Sequence, residues 1–404
     1  MGTLICINEG RKLDESEFLT NLTMALRLEN LGFFIGAGAS IGAGGKTMGD
    51  IWSEFTTNHS ECLDTLQNHK LLTTNKDGSD TSPNVEELLS DIYLLLKVFD
   101  KTKCECESES EYQKLQAVCE QLEKCITDAA SLSYEPKKLQ SHIQLLQKLI
   151  STRQPGQPSP WIFTTNYDLA IERAAEYTNI LVNNGFIGIQ QRTFSPQAFD
   201  LGYRNVNAKG EARFGCNDIY LDKLHGSLSW YESDNEIFET QILTNPNNKP
   251  VMIYPNKAKY IDTIGFLYGE LFRRFADFLA KPQTCLLISG YSFGDNHINR
   301  LIRSALLNPT FQLIIFTTQI KNDFNDLNEE LLLKLPIELQ KLINLKSPRI
   351  TVVGSTDRLT FDKTVQLIPE SHLFNKESLE LRENIKRLYL NKASESEEIQ
   401  NEPY

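Results

Sequence analysis

The sequence predicts an α/β chain built on a doubly wound parallel sheet. Three observations carry that reading. Short apolar runs recur along the chain: LGFFI at 31–35, WIFTT at 161–165, CLLIS at 285–289 and QLIIFTT at 312–318. Segments with helical periodicity stand between them. Most of the runs stop at glycine or a small polar residue, so polar chemistry gathers at the strand ends. Alternation of this kind makes a parallel sheet with crossover helices on both faces, a Rossmann-like arrangement.

Taken in order, residues 14–30 (DESEFLTNLTMALRLEN) carry Phe18, Leu22, Ala25 and Leu26 at helical spacing, and residues 1–30 read as an N-terminal helical segment. Leu31 to Ile35 reads as a buried strand closed by the glycine turn of GAGAS, with a helix opening at Gly49-Asp50-Ile51-Trp52. Residues 31–58 thus form the first part of the sheet domain. Residues 59–150 are rich in Leu, Glu, Lys and Gln and read as a helical insertion, ended by the Pro/Gly punctuation of TRQPGQPSP. Residues 151–365 hold the remainder of the sheet domain. Its strands are Trp161–Thr165, IYLDKLHG (219–226), Cys285–Ser289, QLIIFTT and RITVVGST (349–356); its helices are LAIERAAEY, one around Phe266–Leu279, NHINRLIRSAL and one within 323–345. Residues 183–218 are weakly patterned, and 231–282 mix loops with the helix already named. Residues 366–404 read as a helical extension ending in an acidic tail, SESEEIQNEPY, expected to be disordered. No internal repeat is present.

Composition removes several function classes. The 404 residues hold 41 Lys and Arg against 53 Asp and Glu, a formal charge of −12. Broad, sequence-independent nucleic-acid binding needs a basic surface, so direct binding is not expected, although 203–213 (YRNVNAKGEAR) has the charge to touch phosphate. No apolar run is long enough to span a membrane. The N-terminus meets acidic residues before an apolar signal core could form, which predicts a cytoplasmic protein. Eight cysteines in a chain of this length read as reduced thiols. Cys104 and Cys106 form a lone C-x-C near Cys119 and Cys125, a spacing unlike the paired arms of a zinc site, so no metal is expected.

The strand ends hold the candidate chemistry. A strand, a glycine turn and a helix set backbone N–H groups around an anion, and Gly36 and Gly38 lack the Cβ atoms that would obstruct it. The dinucleotide fingerprint G-x-G-x-x-G fails, because Ile41 stands at the third glycine. Ser40 to Thr47 (SIGAGGKT) approaches a phosphate loop, yet Ser40 replaces its first glycine and Lys46-Thr47 lie well past the strand, so an ATPase is disfavoured. Asn166 and Asp168 follow the second strand; such a pair also serves as an Asx-type helix cap. His225 stands at a strand end before Gly226. It reads either as an ordinary polar residue or as the side chain suited to proton transfer near neutral pH.

In chain order, GAGAS, TTNYD, KLHGS and ISGYSFGD resemble the sirtuin-like superfamily, whose corresponding runs are a GAG-x-S turn, a T-Q-N-x-D run, an H-G pair and a G-T/S-S run. The wording G-Y-S-F-G-D-x-H-I-N looks more like the divergent prokaryotic sirtuin-like proteins of antiviral defence than like protein deacylases. The resemblance implies that Gly36, Ala37, Gly38 and Ser40 cradle the pyrophosphate of NAD+. It implies that Asn166 and Asp168 line the nicotinamide-ribose end and that His225 is the general base. Gly290 and Ser292 would contact phosphate and the adenosine ribose, and Gly354 and Ser355 would lie near adenine. The paired cysteines of the deacylase zinc module have no counterpart after His225, and the segment G-I-P-D-F-R is replaced by Gly49-Asp50-Ile51-Trp52. These departures favour NAD+ cleavage over deacylation.

The resemblance therefore implies an NAD+ glycohydrolase, NAD+ being a substrate, with no zinc and no other cofactor. Unchecked turnover would deplete the cell, so a homo-oligomer gated by a separate partner is expected, by analogy a hexameric HerA-like DNA-translocase ATPase. The alternative is a non-catalytic NAD or ADP-ribose-binding subunit of a larger complex.

Overall fold

A computed structural model describes residues 3–72, 85–101, 106–154, 156–204, 209, 217–234, 236–240, 250–252, 263–318, 320 and 335–370. The strands are β1 Leu4–Asn8, β2 Arg11–Leu13, β3 Asn30–Ile35, β4 Trp161–Thr164, β5 Leu181–Asn183, β6 Phe186–Ile187, β7 Arg192–Phe194, β8 Asp218–Lys223, β9 Gly226–Ser233, β10 Glu236–Glu239, β11 Pro250–Met252, β12 Thr284–Ser289, β13 Gln312–Phe316 and β14 Ile350–Ser355. The helices are α1 Glu15–Ala25, α2 Met48–Asn58, α3 Glu61–Asn68, α4 Val85–Lys101, α5 Cys106–Ala130, α6 Gln140–Ser151, α7 Ala170–Thr178, α8 Thr263–Ala280, α9 Asn296–Ala305, α10 Ile337–Asn344 and α11 Phe361–Leu367.

The described residues form a nine-stranded sheet in the order β2-β1-β14-β13-β12-β3-β4-β8-β5. From β14 to β5 every pairing is parallel. Every residue of β3, β4, β12 and β14 is buried, as a parallel sheet covered on both faces requires. Alternate residues of β3 feed opposite faces. Phe34 packs with Phe163, Phe275 and Ile298 beneath α8 and α9. Phe33 packs with Leu22, Leu145 and Ile171 beneath α1, α6 and α7. Burying a side chain of this size contributes about 1.5–3 kcal/mol. Gly32 has its own steric reason: a Cβ there would lie 2.6 Å from Cε1 of Phe278, so its absence lets α8 settle onto the strand. The doubly wound α/β fold read from the sequence is therefore the fold observed.

The differences are local. The segment before α1 holds β1 and β2, which pair antiparallel, β1 lying against β14 in the register Leu4↔Ser355 to Asn8↔Thr351. Five residues are too few to show a period, and their partner lies over three hundred residues away in the chain. Residues 183–218 and 231–282 also carry short strands that the weak patterning did not predict. With β9 they make a second, antiparallel sheet, β11-β9-β10-β7-β6. The helix expected within 323–345 is α10, and residues 323–334 lie outside the described residues, as do most of 203–213 and the tail from 371 onward.

Helices α2 to α5 share a core of their own, with Trp52, Phe55, Leu66, Leu89, Leu115 and Leu122 buried at its centre. Two residues from the sheet domain join that core: Tyr167, from the loop after β4, and Leu228, from β9.

Candidate active site

The strand order already assembles the site. β12, β3, β4 and β8 are consecutive in the sheet. Their carboxyl ends lead into Gly290, Gly36, Asn166 and His225 in turn. β3 is also where the winding reverses: the chain goes to β4 on one side and returns to β12 on the other. Open α/β sheets bind ligands outside the strand ends at such a reversal.

Asn166 is held by its neighbours before any ligand is considered. Its backbone amide donates to Thr164 Oγ1 (3.0 Å), whose hydroxyl donates to the Ile35 carbonyl (2.8 Å). Its Nδ2 donates to the Gly36 carbonyl (3.2 Å) and to Ser40 Oγ (3.0 Å). A carbonyl only accepts, so this contact fixes which end of the amide is nitrogen. Ser40 Oγ in turn donates to Asp168 Oδ2 (2.6 Å), and Asp168 Oδ1 accepts from the Ala170 amide (3.0 Å). A relay therefore runs from Asn166 through Ser40 to the start of α7, with all three side chains buried. The cap reading thus fits Asp168, whose oxygens hold Ser40 and α7, and does not fit Asn166. Asn166 Oδ1 is buried and has no hydrogen-bond partner.

The glycine turn differs from the expected anion cradle. No α-helix follows it directly. Residues Ala37–Ala39 and Ile41–Ala43 form two short 3-10 turns, and α2 begins only at Met48, capped by Thr47. Gly36 and Gly38 direct their amides to Ser289 (3.0 Å) and Gly290 (2.9 Å), and the Ser40 amide donates to the Ala37 carbonyl (3.1 Å). A Cβ on Gly36 would stand 2.6 Å from Tyr291 Cα and closer still to the Gly290 carbonyl oxygen; one on Gly38 would stand 2.8 Å from Gly290 Cα. Gly290 itself has φ +70°. These glycines are needed first for one backbone to lie against another. The close approach fuses the GAG turn to the GYS loop, leaving Ala37 and Ser292 exposed and Gly38 and Gly290 half-buried along one rim.

His225 occupies the turn between β8 and β9, and Gly226 after it takes φ +92°. The imidazole is buried and lies 6.5 Å from the Tyr167 ring, centre to centre. His225 Nε2 donates to Asp295 Oδ2 (3.0 Å). Asp295 also caps α9, its Oδ1 accepting from the amides of His297 (2.7 Å) and Ile298 (3.1 Å). Burial pushes the Asp295 carboxyl up, but the His225 hydrogen bond and charge, with the two amides, outweigh it and leave the group below the ordinary aspartate range. A carboxylate that holds a histidine at a chosen nitrogen sets its tautomer and orientation. The sequence reading passed over Asp295, although an Asp ahead of N-H-I-N is a helix-cap signal.

Behind the relay the surroundings are apolar. Burial pushes the His142 imidazole down, with Asp168 acting weakly the other way. Burial also pushes the Tyr134 phenol up to about 12, its oxygen accepting from the Leu169 amide.

Gly354 and Ser355 stand apart from this cluster. Their strand, β14, is separated from β12 by β13, and its end pairs with β1. A Cβ on Gly354 would strike Ile320, so this glycine serves packing. Lys46 pairs with Glu54 (2.5 Å) and Thr47 closes a capping box with Asp50, so neither is arranged as in a phosphate loop. Among the described residues no three His, Cys, Asp or Glu side chains meet as a metal site, and Cys104 lies outside those residues.

An NAD+ ribose end fits what is present at Asn166. A buried amide oxygen without a donor is costly in a finished core, about 1–3 kcal/mol, and a ribose hydroxyl has the donor chemistry that would satisfy it. The rim of Ala37, Gly38, Gly290 and Ser292 offers backbone and a hydroxyl, though four amides of the turn, those of Gly36, Gly38, Ala39 and Ser40, are already engaged. Asn166 at the buried end offers an amide acceptor, and His225 on the adjacent turn offers an imidazole, the side chain whose chemistry suits proton transfer near neutral pH.

No curated protein matches the sequence. Residues 160–333 match a family model described as a SIR2-like domain, a span that begins just ahead of β4 and includes Asn166, Asp168, His225, Gly290 and Asp295, and that supports a place in the sirtuin-like superfamily with an NAD-related activity.

Proposed function

We propose that the protein is an NAD+ glycohydrolase, converting NAD+ and water to ADP-ribose, nicotinamide and a proton. The observation that carries the reading is Asn166 Oδ1, an acceptor buried without a partner at the meeting point of the GAG turn and the TTNYD loop. Cleaving a glycosidic bond of this kind builds positive charge on the ribose, so the protein needs to hold the sugar and orient a water rather than supply a nucleophile. Asn166 Oδ1 accepts from that water or from a ribose hydroxyl. The relay through Ser40 and Asp168 keeps the amide from turning. His225 takes up the released proton while Asp295 holds the ring. General-base assistance of this type is worth about 10²–10⁴-fold.

The wider reading is that the activity depletes NAD+ in antiviral defence, in the cytoplasm, with the protein assembled as a homo-oligomer and gated by a partner, a hexameric HerA-like translocase ATPase. Its support is the motif wording and the need to restrain such an enzyme.

The test incubates the purified chain with NAD+, alone and with the candidate ATPase, and measures nicotinamide and ADP-ribose. Asn166→Ala and His225→Ala should each abolish turnover while the protein stays folded. NAD+ that binds but is never cleaved, under every combination, would instead establish a binding subunit.

A further inference from the structure

Lys223 is the last residue of β8, two before His225, and its side chain is 1% exposed. A lysine is seldom buried this fully without partners, and here every partner belongs to the site's framework. Its ammonium donates to the carbonyls of Asp168 (2.5 Å) and Tyr167 (3.3 Å) and to Ser227 Oγ (2.9 Å), and it pairs with Glu172 Oε1 (2.9 Å) in the first turn of α7. One charge thus joins three segments: the loop bearing Asn166, the helix that follows it, and the strand that leaves the His225 turn. A second tie runs parallel to it, the Leu228 amide donating to the Tyr167 carbonyl (3.0 Å).

We infer that Lys223 is a positioning residue that sets the separation between Asn166 and His225 from beneath, without itself reaching the ligand. The inference rests on the proposed hydrolase reading for its kinetic consequence, but its structural content does not. Without the ammonium, the carbonyls of Tyr167 and Asp168 lose their charged anchor, only the Leu228 amide still tying that loop to β9, and Ser227 keeps only Ser229 as a side-chain partner (3.0 Å). Both arms of the site then drift together. Misplacement of reacting groups by about 1 Å costs about 10²-fold in rate.

Lys223→Met alone leaves Glu172 half-buried and unpaired, so it is compared with Lys223→Met/Glu172→Leu, which removes both charges and keeps the apolar volume. Ser227→Ala, which leaves the ion pair in place, is the third variant. Three measurements are made on each full-length protein: urea unfolding, hydrogen exchange by mass spectrometry over 164–170 and 225–229, and kcat and KM for NAD+. In the double variant the expected result is stability close to the parent, loss of protection in both peptides together, and kcat lowered about 10²-fold with KM little changed. Ser227→Ala should loosen 225–229 alone. Retained protection in either peptide of the double variant, or a kcat that recovers along with stability, would overturn the inference. Should the double variant fail to fold, unaltered exchange at 225–229 in Ser227→Ala overturns it and selective loosening there upholds it. A parent protein that never cleaves NAD+ refutes the hydrolase reading only, and the exchange data still decide on Lys223.

Discussion

Asn166→Asp is the sharpest probe of the site, because it keeps the shape of the side chain and changes one atom from donor to acceptor. In the parent, Nδ2 donates twice, to the Gly36 carbonyl and to Ser40 Oγ. The substituted oxygen faces a carbonyl that cannot donate. It also faces a hydroxyl whose single hydrogen already serves Asp168 Oδ2. Two hydrogen bonds are lost at about 1 kcal/mol each, and a buried oxygen is left without a donor at about 1–3 kcal/mol more. The expected loss is about 3–5 kcal/mol near neutral pH. Burial and the nearby Asp168 carboxylate raise the new carboxyl above its unfolded value, so the folded state binds the extra proton and stability falls as pH rises through that window. On acidification the protonated carboxyl regains one donor and the deficit shrinks. Urea unfolding of parent and variant at about pH 5 and about pH 8 measures both quantities. A deficit under about 1 kcal/mol, or one equal at the two pH values, would refute the hydrogen-bond assignment around Asn166.

Gly36→Ala should destabilise by about 1–3 kcal/mol or more, since its Cβ meets backbone at Gly290 and Tyr291 that cannot step aside; thermal denaturation checks it. Asp295→Ala should cost about 0.5–2 kcal/mol for the lost α9 cap and should lower turnover by loosening His225. Because the folded Asp295 carboxyl lies below its unfolded value, its contribution is complete above the ordinary aspartate range and disappears as pH falls through the folded value, so parent and variant should converge in acid; unequal stability there would sink the assignment. Lys46→Ala should change stability by under about 1 kcal/mol and leave NAD+ cleavage intact, because Lys46 and Glu54 form an exposed pair; a large loss of activity would revive the phosphate-loop reading.

The parallel sheet was legible because strands buried on both faces must be continuously apolar, and FFI, WIF, LLI and LII show that without help from distant residues. What escaped notice depends on pairing. LICIN becomes β1 between β14 and β2, and RTF and EIFE become strands inside a sheet where EIFE lies between β9 and RTF, and RTF between EIFE and β6. The site residues were visible as polar interruptions at strand ends, but their connections were not. That Ser40 bonds to Asp168 is a fact about two loops 128 positions apart. Lys223 read as one polar letter in IYLDKLHG, since nothing local marks a lysine that turns inward to four acceptors. In the sequence Gly36 and Gly38 point to the close approach of an anion, whereas the nearest demand on them comes from the backbone of Gly290.

Tyr167 is by chain the residue between Asn166 and Asp168, and by packing a member of the helical core with Trp52 and Phe55. Its ring acts as a dowel driven from the loop after β4 into the helical core. Trimming away residues 59–150 would strip Leu66, Leu89, Leu115 and Leu122 from the core that holds that ring and Leu228, leaving only the α2 side of the packing, and would slacken the peptide on either side. A tilt of the helical layer, whatever its origin, has a lever already attached to the amide that would meet the sugar.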